Sequence, residues 1–136
     1  MNNQVQAELK KIFNSRFSTS ESTRANYARG EDTYDPILSK AVVFPETNEE
    51  VSKILSLCNQ HKIPVVPFGT GTSLEGNVVG NEKGITISLE KMNKILNVNA
   101  EDFDCRVQAC VTKEQLNEYL REDGVFFPID PGANAA

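Results

Sequence analysis

Tryptophan is absent, histidine occurs once, at His61, and cysteine only three times, at Cys58, Cys105 and Cys110. One histidine and an odd number of cysteines without a Cys-x-x-Cys pair exclude a disulfide framework and a zinc site, so no metal is expected. A strand running from Cys105 to Cys110 would place the two thiols on opposite faces, because the offset is odd. All three cysteines therefore read as small buried hydrophobic residues. An excess of positive charge is missing too: 14 Lys and Arg against 19 Asp and Glu leave a net charge of -5. Duplex binding rests on cations that neutralise phosphates, so no nucleic-acid partner is expected. Any bound phosphate must then be held by backbone N–H groups. Apolar runs approaching the roughly eighteen residues of a membrane span are also lacking. The opening MNNQVQAELKK has neither the apolar stretch of a secretory signal nor the Arg-rich, acid-poor character of a transit peptide. A cytoplasmic location is the default expectation.

What is present fits one folding unit of 136 residues. Val5, Leu9, Ile12, Phe13 and Phe17 recur at helical spacing and predict an amphipathic helix over residues 4–17. Residues 18–39 are polar and aperiodic, interrupted by Gly30 and Pro36, and read as a linker or wrapping segment. The expected division is a helix and linker over residues 1–37 and the main domain over 38–136. Ala41–Phe44 is a short buried strand ended by Pro45. Thr47 and Glu50 form a capping box ahead of Val51, Ile54, Leu55 and Cys58, which predicts a helix from about Asn48 to about His61. Pro64–Phe68 is a second strand, and the strand–helix–strand order implies a parallel βαβ unit. Ile85–Leu89, Ile95–Val98 and Arg106–Ala109 read as strands too close together for parallel crossovers, so this part is expected to be antiparallel. Thr112 and Gln115 open a final helix that Gly124 closes. The fold class is α+β: a small parallel βαβ subdomain followed by a mixed or antiparallel sheet with flanking helices.

Chemistry concentrates in Pro67-Phe68-Gly69-Thr70-Gly71-Thr72-Ser73-Leu74-Glu75-Gly76, directly after a predicted strand. Its glycines permit positive φ and a close backbone approach, so several N–H groups can converge on one anion, a pyrophosphate above all. A P-loop is excluded: Gly71 and Gly76 have the spacing, but Asn77 and Val78 stand where Lys and Ser or Thr are needed. A Rossmann fingerprint fails as well, because Leu74 occupies the third glycine position and no helix follows. Glu75 has no second carboxylate nearby and reads as a solvated or capping residue. His61 follows a helix end, where it complements the dipole.

Together these elements resemble the FAD-binding domain of the vanillyl-alcohol oxidase and p-cresol methylhydroxylase superfamily, in its D-lactate dehydrogenase and glycolate oxidase branch. The likeness spans about residues 30–136. It rests on Pro45-Glu46-Thr47 with Glu50-Val51, on Ile63-Pro64-Val65, on the loop Pro67–Gly76 and on Asp130-Pro131-Gly132-Ala133-Asn134-Ala135. The resemblance implies that Pro67, Phe68, Gly69, Thr70, Gly71, Thr72, Ser73, Leu74 and Gly76 wrap the FAD pyrophosphate, and that Pro131, Gly132 and Ala133 begin a second flavin-contacting stretch. Thr72 matches the position where some relatives attach flavin through a histidine, which implies non-covalent FAD.

The chemistry implied is oxidation of a small 2-hydroxyacid to the 2-oxoacid. Electrons would leave to a cytochrome, a quinone or a flavoprotein, in an enzyme that is cytoplasmic or peripheral to a membrane. The groups that bind substrate and act as base belong to the family's C-terminal parts, so no catalytic residue is assigned here. The expectation is a fragment that stops mid-site, binds FAD weakly and has no turnover by itself. Two alternatives share these residues: an interaction module self-associating through an incomplete face, and an FAD oxidase of the same fold acting on another alcohol.

Overall fold

In the computed structural model, which describes residues 3–129, the chain forms two compact units, Met1–Lys91 and Met92–Ala136. The first opens with α1 (Asn3–Phe13), which buries Val5, Leu9 and Phe13 one turn apart. This helix is shorter than its apolar stripe predicts. Asn14 takes a φ of 48°, a left-handed value that asparagine tolerates, and after a single tight turn over Asn14–Arg16 the chain is already extended at Phe17. Phe17 thus enters the core from a strand, β1 (Phe17–Ser18), and not from the helix. Beyond it, Ser20 caps α2 (Glu21–Asn26) by accepting from the Thr23 N–H at 3.2 Å.

Four strands make the sheet, in the order β1, β2 (Val42–Val43), β4 (Ile85–Ser88), β3 (Val65–Phe68). β1 is antiparallel to β2; β2 and β3 both run parallel to β4, with Val42 and Val66 each paired to Thr86. The parallel unit is as the sequence implies, with one correction: Ile85–Ser88 belongs to this sheet and not to the antiparallel part. The glycine-rich stretch, residues 69–84, contains no helix yet is long enough to serve as the crossover that a parallel neighbour needs. As the central strand, β4 is buried at every position.

α3 (Asn48–Gln60) joins β2 to β3 and packs Ile54 and Cys58 against Leu9, Phe13, Val43 and Ile85 in one cluster. Thr47 Oγ1 accepts the Glu50 N–H at 3.2 Å. The return half of the capping box is displaced by one residue: the Glu50 carboxylate accepts from the Glu46 N–H at 2.7 Å and takes both guanidinium N–H groups of Arg16 at 2.6 Å. This bidentate bond holds the Glu50 carboxyl down at about 2, below its ordinary 4.5. It fastens the end of α1 to the start of α3.

The second unit is an antiparallel hairpin of β5 (Ile95–Asn99) and β6 (Asp104–Val107), with a register shift between Ile95 and Asn97, followed by α4 (Lys113–Leu120). β6 begins two residues before the expected Arg106, and Gln108–Val111 form a turn closed by the Val111 N–H on the Gln108 carbonyl, with the Gln108 N–H on the Lys94 carbonyl. Cys105 is exposed, which corrects its reading as a buried residue; Cys58 is buried, and burial raises its thiol pKa. Thr112 caps α4 through the Gln115 N–H, while the Gln115 amide turns to the Asn93 carbonyl at 2.8 Å. Gly124 takes the left-handed φ of 69° just past the helical segment. No helix among the described residues is long and apolar enough to cross a membrane.

Candidate functional site

The glycine loop leaves the carboxyl end of β3, where ligands of parallel α/β sheets sit. Phe68, the last residue of the strand, is buried, and its ring meets Tyr27 edge to face at 5.1 Å. Tyr27 stands in the same way against Phe44 at 5.5 Å and donates its hydroxyl to Glu90 at 2.6 Å. Burial first, then the Glu90 bond, pushes the Tyr27 pKa up to about 12. This aromatic stack is the floor of the loop. Gly71 lies directly over it: with φ at 78°, a Cβ there would stand 2.8 Å from the Phe68 ring. At the other end, Gly76, φ 70°, has the Tyr34 ring where a Cβ would go.

The loop's own hydrogen bonding is sparse. Among the described residues, no backbone N–H from Gly69 to Val78 donates a bond within the protein. Its carbonyls, by contrast, are tied back: Phe68 accepts from Leu89, Gly71 from Glu31 at 3.1 Å, and Gly76 from Val79. A trans peptide carries its C=O and N–H on opposite sides. The Gly76 bond is a turn within the loop, but tying the Phe68 and Gly71 carbonyls to Leu89 and Glu31 turns the next N–H groups, those of Gly69 and Thr72, away from those segments. No lysine or arginine occurs between Pro67 and Gly80. Free amides without cations suit an anion with several oxygens, held by dipoles as in an anion-binding nest. Thr70 and Thr72 add hydroxyls 3.3 Å from each other, and the residues present fit a diphosphate.

Of the residues singled out in the sequence, Pro67 and Phe68 end β3, and Gly69–Leu74 and Gly76 lie in the loop that follows it, with Leu74 68 % exposed. Glu75 is exposed on the same loop. Pro131, Gly132 and Ala133 lie outside the described residues. The segment that backs the loop, read from the sequence as a linker or wrapping segment, was given no part in the site. Residues 28–37 form a strap whose ends meet, the Ala28 carbonyl accepting from both Ile37 and Gly80. Gly30 is pressed so close that a Cβ would stand 2.7 Å from the Gly71 carbonyl oxygen. The available signal was a Gly-x-Asp turn within a long stretch lacking secondary structure, and such stretches are usually functional.

The second unit holds a separate apolar pocket between its hairpin and α4, lined among others by Phe103, Leu116, Leu120 and Phe126. Its volume, about 100 Å³, is well below that of ordinary cofactor pockets.

A mixed sheet with parallel inner strands, carrying at one strand end a cation-free loop of undonated amides, has the features of a site for an anionic group such as a nucleotide cofactor's phosphates. Comparison with known proteins narrows this class. Residues 39–136 match the model of the FAD binding domain, and the chain belongs to that family. The chain is 41% identical over 119 residues to the probable mitochondrial D-lactate dehydrogenase of Danio rerio, covering 88% of this chain and 24% of that protein. Against the glycolate oxidase subunit GlcD of Bacillus subtilis it is 31% identical, covering 86% and 25%. The fold is that of p-cresol methylhydroxylase, with a TM-score of 0.83 at 22% identity, over 98% of this chain and 27% of that one. The chain thus spans about a quarter of the length of the curated relatives it matches.

Proposed function

We propose that this chain is the pyrophosphate-holding part of a flavin-dependent 2-hydroxyacid dehydrogenase of the D-lactate or glycolate type. The carrying observation is the row of undonated amides from Gly69 to Val78 in a family defined by FAD binding. Thr72, Ser73 and the neighbouring glycines hold the diphosphate through main-chain N–H groups, helped by the Thr70 and Thr72 hydroxyls. Phe68 fixes the loop's height above the sheet. FAD is held non-covalently, since Thr72 offers no nucleophile of the kind used for attachment. The flavin, when bound, supplies the two-electron redox chemistry; the chain's share is binding and orientation. The substrate class comes from the names of the relatives, D-lactate dehydrogenase and glycolate oxidase. The electron acceptor is a cytochrome, a quinone or a second flavoprotein.

The test is made on the intact protein. Heat-released flavin is identified by chromatography, and bleaching of the bound flavin is followed on adding D-lactate, glycolate or a sugar lactone under anaerobic conditions. FAD as the released species, with bleaching by a 2-hydroxyacid alone, is expected. FAD with bleaching only by the lactone would keep the cofactor and remove the substrate class. Absence of any flavin after reconstitution would remove both.

A further inference from the structure

The loop does not hold its shape alone. Its own residues exchange few bonds with one another, and the contacts that set its path come from the strap of residues 28–37. The strap in turn is organised by Asp32, a carboxylate only 7% exposed. One of its oxygens accepts the Gly30 N–H and the other the Tyr34 N–H, both at 3.1 Å. Between those two anchor points lies Glu31, whose N–H bonds the Gly71 carbonyl.

We propose that Asp32 is a positioning residue for the phosphate-binding loop, fixing the strap so that Glu31 ties down the Gly71 carbonyl and the Thr72 N–H faces the ligand side. This rests on the proposed function, because the anion so served is the FAD pyrophosphate. A carboxylate suits the task better than an amide. Each of its oxygens is an acceptor, whereas asparagine would present an NH2 group to one of the two donors. The lost bond leaves a part-buried N–H without its carboxylate partner and frees the strap on one side. Gly30 sets the spacing: with backbone oxygens of Gly71 and Ser73 within 2.8 Å of a would-be Cβ, the strap and loop touch without an intervening side chain.

The experiment is titration of FAD into the flavin-stripped intact protein, with wild type, Asp32→Asn and Glu50→Gln compared. Amide hydrogen exchange at Glu31 is read in the flavin-free state. Asp32→Asn is expected to raise the FAD Kd roughly ten- to a hundredfold and to speed exchange at Glu31. Glu50→Gln, which breaks a bond remote from the strap, is expected to lower stability and leave the Kd within about twofold. Glu31→Pro removes the donor to Gly71 while keeping Asp32, and carries the same expectation for the FAD Kd should Asp32→Asn fold poorly. Wild-type Kd and undisturbed Glu31 protection in Asp32→Asn would overturn the positioning role. If wild type itself fails to bind FAD, the proposed function falls. The Glu31 exchange rate in Asp32→Asn then decides the positioning role alone, faster exchange sustaining it and unchanged exchange removing it.

Discussion

β4 and β6 are both four residues long and sit in opposite surroundings. β4, Ile85–Ser88, is buried at all four positions and paired on both sides, whereas β6, Asp104–Val107, has three exposed residues and one neighbour. β4 is an interior strand parallel to both its neighbours, an arrangement that requires cover on both faces; β6 is one arm of a local hairpin, which does not. The difference shows where rigidity is placed. The glycine loop springs from β3 beside β4, so its root is anchored to a strand buried at every position.

That contrast can be broken or sharpened by substitution. Ile85→Ala, at a fully buried position in β4, is expected to cost about 2 to 5 kcal/mol in chemical denaturation. A cost under about 1 kcal/mol would show that the sheet is not the stabilising core. Glu50→Gln should follow at about 2 kcal/mol near neutral pH, since it removes the bidentate bond to a partly buried Arg16. Because the Glu50 pKa is depressed to about 2 from 4.5, its contribution is full above about pH 4.5 and is lost as pH falls toward 2. Denaturation midpoints across that window should fall more steeply in wild type than in Glu50→Gln, and parallel profiles would refute the ion-pair assignment. Thr47→Ala and Thr112→Ala each delete one capping acceptor and should cost about 1 kcal/mol; a markedly larger loss at Thr112 would make the hairpin unit the more cooperative of the two. Leu96→Ala, 55 % exposed on β5, is expected to change stability by no more than about 0.5 kcal/mol.

Much of the parallel unit was legible because its signals are local: a Thr-x-x-Glu cap, an i, i+3, i+4, i+7 stripe and a glycine loop behind an apolar run. The loop itself was readable for the same reason, and the chain's net negative charge already pointed to amide donors for any bound phosphate. What escaped was non-local. The strand Ile85–Ser88 was set among antiparallel neighbours because a crossover is normally announced by a helix, and residues 69–84 have none. The strap was read only as a linker or wrapping segment because Gly30, Asp32 and Tyr34 show no period; their meaning lies in Gly71 and Gly76, about forty residues further on. The N-terminal helix was drawn through Phe17 because that residue is in phase with the stripe, although Asn14 turns the chain first.

The central claim is that the loop at the end of β3 holds the FAD pyrophosphate through its main-chain amides. Its most direct test is the FAD affinity of the intact protein carrying Gly71→Val, with the fold checked by circular dichroism. A side chain there must displace the Phe68 ring and adopt a left-handed φ, moving the Gly71–Thr72 peptide and its N–H. The account predicts a folded protein whose FAD Kd rises by about a hundredfold or more. A folded Gly71→Val protein binding FAD as tightly as wild type would contradict it.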